Sequence, residues 1–439
     1  MVENNIEKNN WKSLSGFVWS ASSVAIGLGN IWRFPYLCAK YGGISFIIAY
    51  FLVLFLATIP AIILEIGLSK SLHKANIGCY SFALNSERAG IFFGLITSGS
   101  AFVVNFTYMV TTGYCGLYAV TANRNGWYQN DISSFYQLII DNKWVGLLAG
   151  ICVLVITITI SYKDINVLEK ICKILVPVIG IILIFLFFWT FSLDGIFDGY
   201  KRLICFEGSW WKNFDFWLAV FGQVMFSVGL GPGLFLAYGS HLPDDSNVVV
   251  GAISVAALDT LISVLAAVII VPSSTVFGYG DGYGSELAFL VYPTIFSQIR
   301  GGMVLGILFF LLLFFAAISS CVGQITIFLT TITDEFKLNR KKTCLVLAII
   351  TLIGMGPSMY SSLVNDIVNR WISDYLLTTT ALISIITFGW IYGVKKIRVH
   401  HINKTGGNIG TWFDLQIRYI STPILIVIII SMIMNIIQN

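Results

Sequence analysis

Long apolar stretches that contain almost no charged residues alternate with short polar segments along the 439-residue chain. Most have about the 20 residues that an α-helix needs to cross the hydrocarbon layer of a membrane. The stretches at 89–121 and 301–332 are longer, so we expect these helices to be tilted or to extend beyond the bilayer. The pattern predicts an all-α membrane protein with eleven transmembrane helices, numbered here as spans one to eleven: 13–37, 41–64, 89–121, 144–162, 174–193, 216–240, 246–275, 301–332, 343–363, 371–394 and 416–437.

The composition agrees with a membrane protein. Hydrophobic residues make up 57% of the chain and charged residues 11%, compared with roughly 25% charged residues in an ordinary soluble domain. The eight cysteines show neither metal-ligand spacing nor a disulfide framework. They are expected to be packing residues.

Two of the apolar stretches contain residues that interrupt a helix. Span one carries Gly27, Gly29 and Asn30, and span six carries the run from Ser227 to Gly233 with three glycines and a proline. Backbone that leaves a helix at membrane depth must be satisfied by protein, water or a ligand. For span one alone, an alternative interpretation is a helix whose glycines let a neighbour pack closely. Interrupted segments at corresponding places in two halves of a chain point to a transporter's binding site.

The spacing of the interrupted spans predicts an inverted repeat. Five spans separate equivalent positions, and an odd number places the second copy upside down in the membrane. We therefore expect a single transporter domain over residues 1–439. Its first repeat covers residues 13–193, its second repeat covers residues 216–394, and helix 11 covers residues 416–437.

The distribution of basic residues predicts the orientation. With the N-terminus in the cytoplasm, seventeen lysines and arginines lie inside and eight outside, with Arg33 left at the membrane. This bias follows the positive-inside rule. The odd number of spans then places the C-terminus outside. The expected location is a cell membrane, most simply a bacterial inner membrane, which the chain crosses several times.

A specific motif in span one identifies a family. The run from Val24 to Tyr36 reads VAIGLGNIWRFPY, and it resembles the neurotransmitter:sodium symporter family in its bacterial amino-acid-transporting branch. The resemblance continues through Tyr41-Gly42-Gly43, the run from Gly222 to Gly233 and the run from Ala316 to Ser320. It covers essentially the whole chain, although the family's usual twelfth span is absent.

The resemblance implies two sodium sites and no organic cofactor. The matching positions of the first site are Ala25, Asn30, Ser227 and Asp259; those of the second are Ser23, Ile26, Ala316, Ser319 and Ser320. Carbonyl and hydroxyl oxygens suit a hard monovalent cation that must leave again. The alternative for Ser319 and Ser320 is that they only bond carbonyls of their own helix.

The resemblance also implies one central site for a small amino acid. Its matching positions are Ala25, Gly27, Gly29, Val104, Tyr108, Phe226, Ser227, Gly229, Pro232, Ser320 and Gln324. Tyr108 could instead be a packing tyrosine, but a hydroxyl at mid-span needs a partner. Small residues beside the side chain leave room for a ring, and an amide can bond a phenol. We therefore expect an aromatic substrate, with tyrosine ahead of phenylalanine.

The resemblance also implies an outer gate and an inner gate, and this chain departs from the family pattern at both. On the outside Arg33 is expected above the site, but its usual acidic partner is Asn369 here, and Asp366 is the nearest substitute. Phe226 and Tyr108 would form a lid. On the inside the matching positions are Lys8, Trp11 and Asp334. A lysine in place of the usual arginine loses a bidentate ion pair.

Asp259 is the most distinctive departure. Chloride-dependent members of the family place an anion among positions that match Tyr50, Gln223, Ser227, Asp259 and Ser263. Asp259 stands where much of the family has asparagine, in a span that is otherwise uncharged. A carboxylate inside a membrane is costly and usually functional. Its fixed charge is expected to replace the anion and make transport chloride-independent. The alternative is a carboxylate that nearby hydroxyls satisfy, with no link to the ions.

These observations predict a sodium-coupled amino-acid symporter that works by alternating access. The alternatives are a solute-gated channel, a non-transporting sensor of the same fold, and an intramembrane enzyme using Glu65 and Asp259. An enzyme is disfavoured because the chain has no Walker A motif, metal-ligand cluster or paired acid motif. Expected partners are the amino acid and membrane lipid, without nucleic acid, and the expected state is a monomer or weak dimer.

Overall fold

The computed structural model describes residues 10–123, 126–129, 131–279, 286–405 and 407–438. Within these ranges the chain consists of helices joined by turns and short irregular segments, with no β-strand. The prediction of an all-α protein is therefore confirmed. Residues outside the described ranges include Lys8, so the gate prediction for that side chain cannot be placed in the structure.

Most of the predicted spans are continuous helices. In the described part of the chain, nine helices are long and apolar enough to cross a membrane: Ile44–Leu72, Glu87–Val120, Lys143–Ser161, Ile165–Thr190, Val248–Val276, Gly302–Phe336, Arg340–Tyr360, Leu363–Ile402 and Trp412–Met434. A bent pair of helices in span one makes a tenth. The two helices of span six are too short to meet this measure, so the count of eleven stays a prediction. Shorter helices in the connections are Asn76–Leu84, Ile132–Asp141, Ile196–Ile204 and Leu287–Ser297.

Span one breaks where the sequence is poorest in helix-forming residues. Its first helix, Leu14–Ala25, begins at Ser13, whose hydroxyl accepts a hydrogen bond from the Gly16 amide at 3.2 Å. This N-cap satisfies one of the free amides at the helix start. The helix ends at Ile26, which is extended with ψ 105°. The second helix, Gly29–Lys40, is bent by 63° from the first.

Span six breaks at three glycines in the left-handed region of backbone space. Helices Phe214–Val228 and Leu234–Gly239 are separated by Gly229, Gly231 and Gly233, whose φ angles are 74°, 105° and 79°. Residues with a Cβ rarely adopt such angles. A Cβ on Gly231 would also lie 2.7 Å from the Ala381 amide nitrogen of span ten. The glycines therefore both turn the chain and allow the close approach of a neighbouring helix.

The two breaks face the interior of the helix assembly. The first helix of span one packs against spans five, seven and eight, and spans three and eight pack against each other along their length. We call the face that contains Trp11, His73 and Asp244 the Trp11 face, and the opposite face, with Tyr41 against Trp210, the Trp210 face. The repeat boundaries at 13–193 and 216–394 stay a prediction.

Candidate functional site

A cavity of about 380 Å³ lies between the two broken spans. All of the predicted substrate-binding residues line it: Ala25, Gly27, Gly29, Val104, Tyr108, Phe226, Ser227, Gly229, Pro232, Ser320 and Gln324. Among the described residues that line the cavity, Arg33 is the one with a charged side chain. The structure therefore brings together residues from spans one, three, six and eight that are far apart in the sequence.

Two glycines of span one line the cavity at positions where a larger residue would not fit. A Cβ on Gly27 would lie 2.8 Å from the Tyr108 hydroxyl and 3.0 Å from Ser320 Oγ. A Cβ on Gly29 would lie 2.7 Å from the Phe226 ring. The Tyr108 hydroxyl accepts a hydrogen bond from the Leu28 amide at 3.0 Å. Tyr108 thus reaches the opened backbone of span one, and its role in substrate binding stays a prediction.

The break in span one is joined to span seven by Asn30 and Asp259. The Asn30 Nδ2 donates to Asp259 Oδ1 at 2.6 Å, to Ser227 Oγ at 3.0 Å and to Ser263 Oγ at 2.8 Å. The Asn30 Oδ1 accepts from the Gly27 amide at 3.0 Å. Three of the four predicted first sodium-site residues, Asn30, Ser227 and Asp259, therefore form one connected cluster, and Ala25 lies on the cavity wall.

The Asp259 carboxylate is completely buried and receives several donors. Asn30 donates to its Oδ1. Its Oδ2 accepts from Ser227 Oγ at 2.7 Å and from the Tyr50 hydroxyl at 3.4 Å. Gln223 Nε2 donates to the Gly29 carbonyl at 3.3 Å. Of the positions named for the family's anion site, Tyr50, Ser227 and Ser263 thus contact this carboxylate or its partner Asn30, and Gln223 contacts the backbone next to Asn30. Such hydrogen bonds offset the cost of burying a charged or polar group.

A second cluster of oxygen atoms joins span one to span eight. Ser319 Oγ donates to the Ser23 carbonyl at 2.6 Å and to the Ala316 carbonyl at 2.9 Å. Ser320 Oγ lies 3.4 Å from the Ile26 carbonyl and 3.3 Å from the Ala316 carbonyl. All five positions predicted for the second sodium site are therefore in contact. The two serines bond carbonyls of span one as well as their own helix, so a purely intrahelical role does not describe them.

The chemistry of both clusters fits a monovalent cation. The second cluster offers carbonyl and hydroxyl oxygens, which are hard ligands without charge. The first adds the Asp259 carboxylate, the strongest attractor for a cation among its atoms. Ser320 belongs to the second cluster and also lines the cavity, as Asn30 and Ser227 of the first cluster do. An ion in either cluster would therefore be next to a solute in the cavity.

The outer gate differs from the ion pair that we expected. The Arg33 guanidinium lies over the Phe226 ring at 5.3 Å from its centroid, a cation–π contact. Asp366 is exposed, and no ion pair joins it to Arg33 in the described part of the chain. Asn369 instead accepts a hydrogen bond from Thr107 Oγ1 at 3.1 Å. The predicted partnership of Arg33 with Asp366 is therefore not formed in this structure.

The Trp11 face is closed over the first helix of span one. The Trp11 side chain is 1% exposed, and its Nε1 donates to the Tyr238 carbonyl of span six at 2.8 Å. Its own amide donates to the His241 carbonyl at 2.9 Å. Asp334, the predicted acid of this gate, has an electrostatic contact with Arg340. The sequence did not predict this interaction of Arg340, because a basic residue at the start of a helix is usually expected to contact lipid head groups.

Other lining residues were also missed. Thr107, Thr111, Ser373 and Thr378 add hydroxyls to the cavity. Threonine and serine are common in membrane helices, where they bond their own backbone, so the sequence offered no signal that separates these from the rest. Glu169 and Lys173 were not singled out either; they form an ion pair at 2.6 Å one helical turn apart.

Comparison with known proteins extends these findings. The sequence profile of the Sodium:neurotransmitter symporter family matches residues 8–144 and 127–439. An uncharacterized sodium-dependent transporter of Methanocaldococcus jannaschii is 30% identical over 97% of this chain and 90% of its own length. The sodium-dependent serotonin transporter of Drosophila melanogaster is 23% identical over 98% of this chain and 77% of its own length.

A solved structure has the same fold. The crystal structure of MhsT in complex with L-phenylalanine superimposes with a TM-score of 0.84 and 27% identity, covering 97% of this chain and 100% of MhsT. The family profile extends over almost the whole chain, including both broken spans and both oxygen clusters. The chain therefore belongs to the Sodium:neurotransmitter symporter family.

Proposed function

We propose that this chain, a multi-pass membrane transporter by its family and not an enzyme, is a sodium-coupled symporter of a zwitterionic aromatic amino acid. The observation that carries the proposal is the shared wall between the cavity and the two oxygen clusters. Asn30 and Ser227 of the first cluster and Ser320 of the second also line the cavity. Relatives named as sodium-dependent transporters support the choice of ion.

Asn30 gives a physical route for coupling. Its Oδ1 holds the Gly27 amide at 3.0 Å, and its Nδ2 is held by Asp259. A cation bound by Asp259 would attract the amide oxygen of Asn30 rather than its nitrogen. Rotation of the amide would release the Gly27 N–H, which lies at the cavity and would then donate to the substrate carboxylate. Sodium binding would thereby increase affinity for the amino acid, and linkage requires the reverse as well.

The aromatic preference rests on the size and chemistry of the cavity. Gly229 and Pro232 are small, so they leave volume beside the substrate's side chain. The Oε1 atom of Gln324 is buried and has no hydrogen-bond partner among the described residues. A phenol could donate to it, which favours tyrosine over phenylalanine. That MhsT was crystallised with L-phenylalanine agrees with an aromatic substrate.

Transport would proceed by alternating access. The bundle with spans one and six would move against the remaining helices, opening the Trp11 face after the Trp210 face has closed. The Trp11 face would be cytoplasmic and the C-terminus external, most simply in a bacterial inner membrane. Chloride would not be required, because the Asp259 carboxylate supplies the negative charge. The functional unit would be a monomer or a weak dimer.

Uptake by proteoliposomes tests this function. Purified protein is reconstituted, and labelled tyrosine uptake is measured with an inward sodium gradient or with equimolar potassium. Symport is supported if tyrosine accumulates above its external concentration with the sodium gradient and not with potassium. Binding without uptake would favour a sensor, and a solute-gated conductance without saturation would favour a channel. Either outcome contradicts the proposal.

A further inference from the structure

We propose that Glu169, on the helix Ile165–Thr190 that forms span five in the structure, is a positioning residue for transport. Its carboxylate would hold the first helix of span one in place while the Trp11 face is closed, and would release that helix when the face opens. The inference rests on the proposed alternating access, but it concerns a residue outside the cavity and outside both oxygen clusters. We call the contact between Glu169 and residues 12–16 the span-five latch.

The carboxylate of Glu169 is buried at the start of span one. The residue is 1% exposed, and its Oε2 accepts a hydrogen bond from the Lys12 amide at 3.1 Å. Lys12 immediately precedes Ser13, the N-cap of helix Leu14–Ala25, where unpaired amides favour a negative group. Oε1 is bonded to Lys173 Nζ at 2.6 Å, one turn further along span five. The hydrogen bond from the Lys12 amide therefore connects the start of span one to Glu169.

Gly16 is the second observation that points to the latch. A Cβ at this position would lie 2.4 Å from Cδ of Glu169 and 2.5 Å from Oε1. Glycine within a helix is less stable than alanine, and Gly16 does not turn the chain. The approach of the Glu169 carboxylate to the helix surface accounts for a glycine here.

The latch acts on the helix that has to move. Trp11 contacts span six on one side of this segment, and Glu169 contacts span five on the other. The 63° bend after Ala25 separates the first helix from the rest of span one, so the first helix can move as a unit. Its far end carries the Ser23 and Ile26 carbonyls of the second oxygen cluster. Sodium and Glu169 would therefore hold opposite ends of one helix.

A native cysteine reports on this interface. Cys172 follows Glu169 on span five, is 2% exposed and faces Ser20 and Ser23 of span one. If the first helix of span one moves away, the Cys172 thiol becomes accessible. Cys152 and Cys205 are exposed, so both are replaced by serine in the test background. Labelling with a maleimide is then followed at each remaining cysteine by mass spectrometry, using the full-length purified protein.

Two variants remove the latch in different ways. Glu169→Ala removes the carboxylate, and Gly16→Ala displaces it without changing any charge. We expect each to raise the Cys172 labelling rate roughly tenfold, the effect of losing a hydrogen bond to a charged group, and to weaken protection by sodium. Glu169→Gln, which keeps an oxygen acceptor, should fall between Glu169→Ala and the wild type. Glu87→Ala, an exposed glutamate, is the matched control and should match the wild type.

The pattern across cysteines separates a latch from a loss of folding. The proposal is supported if labelling of Cys172 increases while Cys79, Cys115 and Cys321 stay protected. Equal labelling of Cys172 in Gly16→Ala, Glu169→Gln and the wild type would overturn it, and so would a general increase at all buried cysteines. The readout needs no substrate, so failure of tyrosine uptake in the wild type would contradict the proposed function and leave the latch standing.

Discussion

The side-chain nitrogen Nδ2 of Asn30 lies 2.6 Å from Oδ1 of Asp259. This hydrogen bond joins the break in span one to the middle of span seven. Ser227 Oγ, from the start of the break in span six, donates to the other carboxylate oxygen at 2.7 Å. One buried acid therefore contacts both interrupted spans. A change of charge or ligand at Asp259 is transmitted directly to the backbone that lines the cavity.

Replacement of this acid tests chloride independence. Wild-type uptake is expected to be the same in chloride and in gluconate. Asp259→Asn removes the fixed charge beside the ion, so uptake in gluconate should fall by at least about tenfold. Added chloride is expected to restore part of it. Initial rates of labelled tyrosine uptake in the two buffers measure both effects.

The matched control is Asp215→Asn, the same change at an exposed position, which should leave uptake unchanged in both buffers. Strong chloride dependence of the wild-type protein would contradict the role given to Asp259. Full activity of Asp259→Asn in gluconate would contradict it equally, and would leave the carboxylate as a structural group bonded by its neighbours.

The second oxygen cluster is tested by removing its hydroxyls. Ser319→Ala combined with Ser320→Ala takes away both side-chain oxygens that contact the carbonyls of Ser23 and Ile26. We expect sodium-dependent uptake to disappear while the protein stays monodisperse. The control pair is Ser192→Ala with Ser274→Ala, whose hydroxyls bond carbonyls of their own segments. Unchanged sodium dependence in the Ser319/Ser320 variant would rule out this cluster as an ion site.

Gln324 is predicted to set the preference for a phenol. Gln324→Leu removes the buried oxygen that has no partner among the described residues. The ratio of tyrosine affinity to phenylalanine affinity is expected to fall about tenfold, or ~1.4 kcal/mol. Competition binding with both amino acids measures the ratio, and phenylalanine serves as the internal control. A ratio equal to that of the wild type would remove Gln324 from the specificity site.

Tyr108 and Gly27 form a further test, because the Tyr108 hydroxyl bonds the Leu28 amide and also lies where a Cβ on Gly27 would reach it. Tyr108→Phe removes the hydroxyl that accepts from the Leu28 amide, and should weaken substrate binding about tenfold. Gly27→Ala places a methyl group 2.8 Å from that hydroxyl, so it should abolish binding. Partial recovery is expected when Tyr108→Phe is combined with Gly27→Ala, since a phenyl ring without the hydroxyl leaves room for the methyl group. Wild-type affinity in Gly27→Ala would contradict the close approach.

The sequence alone could predict the broken spans, because clustered glycines, with Asn30 in span one and Pro232 in span six, are unfavourable in a helix. Gly229, Gly231 and Gly233 all lie at positive φ, and Gly27 and Gly29 both lie where a Cβ would clash. The family resemblance named residues that the structure brings together in the two oxygen clusters, and their role as sodium sites stays a prediction. It could not show which atom of Asn30 faces Asp259, because that orientation depends on the hydrogen bonds around it.

Contacts between distant helices were not predictable. No pattern in the sequence pointed to Glu169, whose carboxylate is bonded to Lys173 and buried against Gly16. Arg33 lacks the acidic partner of the family, and the sequence suggested Asp366 instead of the Phe226 ring. In both cases the partner lies on another span, and neither residue pattern nor spacing determines how two helices rotate toward each other.

The central claim is that sodium drives accumulation of an aromatic amino acid through the cavity between the two broken spans. The most direct measurement is labelled tyrosine uptake by proteoliposomes with an inward sodium gradient, followed by collapse of the gradient with a sodium ionophore. The account predicts accumulation above the external concentration, which is lost when the gradient collapses and is absent when potassium replaces sodium. Equal uptake in potassium, or equilibration without accumulation, would contradict it.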